Sequence, residues 1–158
     1  MIDKNELLGQ GKYFGRVFLD YLCEHADFNN GRGGIKQELA DEMLAIGQSE
    51  GLTEKESISV ANVRHWRDGA HKIPFWVNHA ALILACEKGF TVTHPADAVA
   101  IVATVLKQYT SNKKVYVEGL LIYIEQKYGV KVSEQWLVVV KMYLESRGMT
   151  LLSELPSA

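Results

Sequence analysis

Apolar residues recur with a helical period along most of the chain. Near the N-terminus five of them follow the spacing i, i+3, i+4, i+7 and i+8: Phe14, Val17, Phe18, Tyr21 and Leu22. After the glycine-rich segment 29–34 a second set has similar spacing: Ile35, Leu39, Met43, Leu44 and Ile46. Because side chains three and four residues apart share one face of a helix, each set predicts an amphipathic helix.

Capping residues, prolines and glycines mark the predicted helix boundaries. Ser59 precedes the apolar positions of the next pattern and is a candidate N-cap. Pro74 can begin a helix that runs to about Lys88 and is ended by Gly89. Further boundaries are predicted at Thr93 or His94 before Pro95, at Ser133, and at Gly148.

Two segments of the C-terminal half are rich in β-branched residues. Taken alone, "VYV" at 115–117 and "WLVVV" at 136–140 are typical of strands. Both belong to segments longer than a usual strand, and Leu137, Val140 and Leu144 fit a period of 3.6. We therefore expect helices at both places, and an all-α chain of roughly six or seven helices with a boundary near residues 90–94.

The composition is that of a globular protein. The chain has 158 residues, 47% of them hydrophobic, which suffices for one sizeable core or two small ones. Its first residues lack the basic start and apolar stretch of a signal peptide, and no apolar run approaches the roughly 20 residues that span a bilayer. We expect a cytoplasmic location, no membrane partner, and reduced, buried thiols at Cys23 and Cys86.

No catalytic or metal-binding pattern is recognisable. The histidines and cysteines have no second pair at zinc-finger spacing. There is no nucleophile elbow, Walker loop or HExxH sequence, and the glycine-containing segment 9–15 lacks the preceding strand of a phosphate-binding loop. Asp41 and Glu42 are typical of a solvated surface. We predict no enzymatic activity, no metal and no cofactor.

The charge distribution is uneven. The net charge of −2 and the pI of about 6.2 argue mildly against a nucleic-acid ligand. Acidic residues are concentrated in 38–56, however, whereas segment 64–72 contains one acid, Asp68. The basic and histidine residues of that segment are Arg64, His65, Arg67, His71 and Lys72. A local basic surface is therefore predicted.

The same region carries a more specific pattern. An aliphatic residue, a serine cap, a second aliphatic residue, a tryptophan, a glycine and a basic turn ending in Ile-Pro follow in order: Ile58, Ser59, Val63, Trp66, Gly69, Ile73 and Pro74. This order resembles the recognition half of the Cro and phage-repressor (XRE-like) helix-turn-helix family, over about residues 34–90. It is also similar to the compact DNA-binding domain of phage activators. The resemblance implies a helix that enters the major groove of double-stranded DNA.

The resemblance also implies a role for each matched residue. Val60 and Ala61 would approach the bases, with His65 as a second base reader one turn later. Asn62 and Arg64 could reach either bases or phosphates. The residues expected on backbone phosphates are Ser59, Arg67, His71 and Lys72. Ile58, Val63 and Trp66 would be core, so Val60 should be exposed while Val63 and Trp66 are buried.

Two alignments of the first motif helix remain open. In the first, "IKQELADEML" at 35–44 is that helix and residues 45–57 are an insertion. In the second, "GLTEKES" at 51–57 is a shortened one and "IKQELADEML" is the helix before it; separately, Thr53 with Glu56 makes a possible capping box. We favour the first, because Leu39-Ala40 and Met43-Leu44 supply the small and large apolar residues with which such a helix packs.

Three regions are predicted. Residues 1–33 form an N-terminal helix that packs on the core, 34–92 a helix-turn-helix DNA-binding domain, and 93–158 a small helical domain. Segment 114–148 also has the outline of a second helix-turn-helix, as in winged-helix and transposase-like domains. There Glu134, Gln135 and Trp136 would face DNA, and a leading carboxylate repels phosphate.

The surplus of apolar residues in 93–158 instead predicts oligomerisation, most simply as a homodimer. A two-fold dimer would place two recognition helices about one DNA turn apart. We therefore expect a sequence-specific DNA-binding transcriptional regulator of phage or mobile-element type. The alternative is an all-α protein–protein interaction module, such as an antirepressor or assembly adaptor, that does not bind DNA.

Overall fold

A computed structural model describes residues 14–153 of the chain, with side chains from Arg16 onward. Residues 1–13 and 154–158 lie outside the described part, and with them most of the glycine-containing segment 9–15 and the start of the predicted region 1–33. The side chain of Phe14, predicted to belong to the first apolar stripe, also lies outside it. The described residues divide into two compact units, Gly15–Phe90 and the residues from Thr91 onward.

The first unit contains four helices: α1 (Phe14–Glu24), α2 (Gln37–Ser49), α3 (Val60–Arg67) and α4 (Phe75–Glu87). α2 packs mainly on α4, and α3 packs on α2. α4 is the central helix, because its buried residues lie on every side of it. The predicted apolar stripes form the core: Phe18, Leu22, Leu39 and Met43 are fully buried.

Gly47 allows α2 and α4 to approach closely. A Cβ atom at this position would lie 2.8 Å from Cε3 of Trp76 and 3.0 Å from Cγ2 of Thr53. Contacts this short are repulsive, so the indole ring would have to move. The glycine is therefore needed for packing, although glycine in the interior of a helix is otherwise unfavourable.

We expect Gly47→Ala to lower the free energy of unfolding by about 1–2 kcal/mol, because steric strain outweighs the gain in helix propensity of about 1 kcal/mol. Urea denaturation followed by circular dichroism measures this change. In a Trp76→Ala background the same substitution should cost clearly less, because only the contact with Thr53 at 3.0 Å remains. Equal destabilisation in both backgrounds would contradict the close contact with Trp76.

The second unit surrounds a long helix, α5 (Pro95–Tyr109). The remaining elements are β1 (Lys114–Tyr116), α6 (Val117–Tyr128), a 3-10 turn (Glu134–Trp136), α7 (Leu137–Ser146) and β2 (Thr150–Leu152). α6 and α7 both pack on α5. His94 is the N-cap of α5 and Pro95 its first residue, as predicted, and the Asp97 carboxylate accepts hydrogen bonds from the backbone N–H groups of Thr93 and His94.

The fold is predominantly helical, as predicted, but the all-α expectation was incomplete. β1 and β2 form a two-stranded parallel sheet, with Val115 opposite Leu151. The helix expected at 115–117 was therefore wrong for Val115 and Tyr116. Val115 is buried between exposed Lys114 and Tyr116, an alternation of period two that favours a strand. The helix expected at 136–140 does form, from Leu137 onward.

Within residues 14–153, none of the helices combines the length and apolar character needed to cross a bilayer.

Candidate nucleic-acid interface

Ser59 begins α3 through a reciprocal pair of hydrogen bonds with Asn62. The Ser59 hydroxyl accepts from the Asn62 backbone N–H at 3.3 Å, and the Asn62 side-chain oxygen accepts from the Ser59 backbone N–H at 3.0 Å. The predicted cap at Ser59 is therefore present. This capping box occupies the Ser59 hydroxyl and the side-chain oxygen of Asn62, two residues that were predicted to contact DNA, with hydrogen bonds inside the protein.

The predicted anchors of α3 are buried. Ile58 is 7% exposed, Val63 0% and Trp66 8%. Val60, which was predicted to be exposed, is half-buried. It precedes Val63 by three residues, and this spacing places the two side chains on adjacent parts of the helix surface.

The opposite side of α3 faces solvent with Ala61, Arg64 and His65, all exposed. At about 100° per residue these three side chains lie within about 100° of one another, away from Val63 and Trp66. The small side chain of Ala61 in the first turn leaves room for close approach by a ligand. We call Ala61, Arg64 and His65 the α3 face.

Gln37, the first residue of α2, holds the start of α3. Its side-chain oxygen accepts from the Val60 backbone N–H at 3.0 Å, and its side-chain nitrogen donates to the Ile58 carbonyl at 3.1 Å and the Asp41 carboxylate at 3.0 Å. Gln37 is not among the site residues predicted from the sequence. Its place at the start of the favoured first motif helix was a signal, but the backbone groups that it contacts are 21 and 23 residues away.

Arg67, predicted to contact phosphate, is engaged within the protein. Its guanidinium donates to the Gly33 carbonyl at 3.3 Å and pairs with the Asp68 carboxylate at 3.1 Å. The Arg16 guanidinium donates to the Arg67 carbonyl at 2.9 Å. These contacts connect the end of α3 to α1 and to the glycine-rich loop, so we leave Arg67 out of the proposed interface.

A carboxyl group also lies near these arginines. Burial raises the pKa of Asp20, against the opposing effects of Arg16 and Arg67. Asp20 is thus within electrostatic range of Arg67, whose guanidinium pairs with Asp68.

The turn after α3 returns to the helix. Gly69 has a φ of 79°, a left-handed conformation that favours glycine. The His71 backbone N–H then donates to the His65 carbonyl at 3.2 Å, and the two imidazole rings meet edge to face with centroids 4.8 Å apart. His71 therefore lies beside the α3 face, and Lys72, which is exposed, follows it directly.

Of the residues predicted to contact DNA, four exposed basic or histidine side chains lie on α3 or the turn that follows it: Arg64, His65, His71 and Lys72. Among the residues that the structure describes, neither Arg64 nor Lys72 forms an ion pair. The acid of this segment, Asp68, is paired with Arg67. Arg64 and Lys72 are therefore exposed cations without a carboxylate of the described residues at ion-pair distance, despite the acidic balance of the chain.

The alternative alignment at 51–57 is wrong, because this segment is not helical. Thr53 closes a local turn instead, its hydroxyl accepting from the Lys55 backbone N–H at 3.2 Å. Gln48 of α2 donates to the Lys55 carbonyl at 2.8 Å. α2 continues through Ser49, so the connection to α3 comprises residues 50–59, longer than the roughly four-residue turn usual in this motif.

The second candidate motif has a different surface. α6 and the 3-10 turn before α7 are joined by residues 129–133, with Gly129 at a φ of 73°. Glu134 and Gln135 are exposed, whereas Trp136 is half-buried. The exposed side of α7 itself carries Val138, Lys141 and Glu145, so no excess of positive charge collects there.

Other candidate sites are few. Within residues 14–153 no group of three or more histidine, cysteine, aspartate or glutamate side chains is arranged to hold a metal ion. Both thiols are free, with Cys23 buried and Cys86 half-buried. An open cleft of about 310 Å³ in the second unit is lined by Val117, Glu118, Lys141, Leu151, Leu152 and Ser153.

Comparison with known proteins adds no relative: no family model, no curated protein and no solved structure matches this chain.

Proposed function

We propose that the chain is a sequence-specific DNA-binding transcriptional regulator of phage or mobile-element type that acts as a dimer or higher oligomer. The observation that carries the proposal is the division of α3 into two sides. Val63 and Trp66 are buried, while Ala61, Arg64 and His65 face solvent beside His71 and Lys72. One side of the helix is packed on the core, its first turn carries a small exposed residue, and basic side chains follow further along the chain. Such a helix suits the major groove of DNA.

The contacts divide between bases and phosphates. Ala61, Arg64 and His65 would approach base edges, and an arginine is suited to pair with guanine through two hydrogen bonds. His71 and Lys72 would contact phosphates and fix the register of the helix on the duplex. Gln37 would act indirectly, because it holds the first turn of α3 in place. Regulation would follow from occupancy of the operator.

The test is a gel-shift titration with duplex DNA flanking the gene of this protein and with duplexes selected from a random-sequence pool. We expect Arg64→Ala with His65→Ala to weaken binding by at least about 30-fold, because base contacts of this kind contribute about 1–3 kcal/mol each and two of them are removed. Lys72→Ala should weaken all duplexes similarly and reduce the salt slope by about one.

Lys113→Ala is the matched control, since it removes one exposed positive charge in the second unit. It should leave both affinity and salt slope unchanged. Equal affinities of the wild type and the Arg64→Ala, His65→Ala variant would refute the assignment of the α3 face.

The second candidate function is an all-helical protein–protein interaction module. It is favoured by the net charge of −2 and by the unusually long connection of residues 50–59. A protein of this class would not be retained on heparin at low salt and would select no duplex from a random pool. Either function is compatible with self-association through residues 93–158.

A further inference from the structure

α7 buries one side in its own unit and exposes the other. The buried residues are Val139, Val140, Tyr143 and Leu144. The charged and apolar side chains of the exposed side begin in the 3-10 turn and continue along the helix: Glu134, Val138, Lys141 and Glu145. At about 100° per residue, Val138, Lys141 and Glu145 lie within about 60° of one another. We call these four residues the α7 face.

Val138 lies in the middle of this face and is 70% exposed. The other exposed large hydrophobic side chains in the described part of the chain are less exposed, with Ile122 at 52% and Phe75 and Tyr116 at 41%. One exposed valine is ordinary on a protein surface. The order of the charges around it is what indicates a partner.

The charges alternate about Val138. Glu134 lies about one turn before it, and Lys141 and Glu145 lie about one and two turns after it. None of the three belongs to an ion pair within the described part of the chain. Lys131, also exposed, precedes the 3-10 turn. Along the chain the signs are therefore plus, minus, apolar, plus, minus.

When the chain direction of one copy is reversed, this order of charges places opposite signs against those of the other copy. If two α7 helices pack antiparallel about a two-fold axis at Val138, the turn carrying Glu134 comes opposite Lys141 of the other copy. These Glu134–Lys141 pairs, two of them related by the axis, have opposite signs, and the two valines meet at the centre. In a parallel arrangement each charge would face its own copy, which is repulsive.

We propose that the α7 face binds the same face of a second copy of this chain in an antiparallel, two-fold arrangement. A two-fold contact of this type is closed, so it produces a dimer and not a filament. DNA is a poorer partner for the face, because its two carboxylates would approach phosphates. The proposal rests on the self-association included in the proposed function and gives it a surface and a geometry.

The contact is expected to be weak on its own. α7 has 10 residues and is therefore about 15 Å long. A two-fold axis at Val138, the second residue of α7, lets only the 3-10 turn and the first turns of the helix meet the other copy, so the contact buries less than the roughly 1,200 Å² of a typical stable interface. We therefore expect a reversible dimer whose population depends on protein concentration.

The first test is sedimentation equilibrium of the purified full chain without DNA, over about 1–300 µM, since contacts of this size are weak. The wild type should shift from monomer toward dimer. Val138→Glu should raise the dissociation constant at least about tenfold, because it places two carboxylates together at the centre. Ile122→Ser, a change at another exposed apolar residue of this unit, should leave the constant unchanged.

The second test exchanges charges. Glu134→Lys and Lys141→Glu should each impair self-association, since like charges then face each other. Mixing the two variants in equal amounts should restore dimers, because every facing pair regains opposite signs. The double variant should dimerise with itself. Glu118 lines the same cleft as Lys141, so Lys141→Glu also introduces repulsion within one copy. Such a change within one copy cannot explain dimers that return only on mixing.

A wild type that stays monomeric over this range would overturn the proposal, as would a Val138→Glu variant that dimerises normally. So would charge variants that fail to associate when mixed. If Lys141→Glu weakens DNA binding while self-association is unchanged, α7 contacts DNA instead. Dimerisation is measured without DNA. A monomeric wild type would therefore overturn the α7 proposal, whereas the assignment of the α3 face is tested independently by the gel shift.

Discussion

Trp66→Ala is expected to lower the free energy of unfolding of the first unit by about 3–5 kcal/mol, the usual cost of deleting a buried large aromatic side chain. Trp66 is 8% exposed at the end of a helix of 8 residues. A helix this short is not stable in isolation and depends on packing. Since small proteins are stable by about 5–15 kcal/mol, the loss is a large fraction of the total.

Urea denaturation followed by far-ultraviolet circular dichroism measures this effect. Trp66→Phe should cost less, because it keeps most of the buried apolar area. Arg64→Ala on the opposite side of α3 should change stability by less than about 0.5 kcal/mol. If Trp66→Ala costs less than about 1 kcal/mol, Trp66 does not anchor α3, and the α3 face is not held in the orientation described above.

Both thiols are expected to react slowly with iodoacetamide in the folded protein. Burial raises the pKa of Cys23 from 9.0 to about 11 and that of Cys86 from 9.0 to about 12. Only the thiolate is nucleophilic, so at about pH 8 the reactive fractions are about 100-fold and about 1,000-fold lower than in the unfolded chain. Cys23 is additionally shielded, since it is only 5% exposed.

These pKa values determine how the alkylation rates and the free energy of unfolding change with pH. Both alkylation rates should rise about tenfold per pH unit until the raised pKa is reached. Because the unfolded thiols ionise near 9.0 and the folded ones only near 11 and 12, the fold loses stability as pH rises above about 9. Cys23→Ala and Cys86→Ala variants separate the two rates, and alkylation in urea provides the reference. Native rates equal to the urea rates would contradict burial of the thiols.

Local features of the candidate interface were predictable from the sequence. Ser59 was expected as a cap and forms one, because a serine before an apolar run satisfies free backbone N–H groups wherever that helix packs. The burial of Val63 and Trp66 followed from their spacing. Val60 was predicted to be exposed and is half-buried instead, because it lies between the two sides of the helix.

Two contacts of this region could not be predicted. Arg67 follows Arg64 in a basic segment, and its sequence context is that of a phosphate ligand. Its guanidinium instead reaches the Gly33 carbonyl, 34 residues earlier in the chain. Gln37 similarly reaches Val60. Hydrogen bonds between distant segments depend on how the helices pack. The order of residues along the chain does not show which distant segments come within hydrogen-bond distance.

The sequence by itself determined the predominance of helix, the places where most helices begin and end, and the residues that form their buried sides. These follow from periodicity and capping, which act within a few residues. Tertiary structure decided the pairing of β1 with β2, whose strands are separated by two helices. It also decided which charges remain outside: those of Arg64, Lys72 and Lys141 are exposed, whereas that of Arg67 is bound within the protein. Strand pairing and the contacts of charged side chains with distant residues form only when distant segments of the chain meet. Which surfaces are available to DNA or to a second copy is therefore decided only in the folded chain.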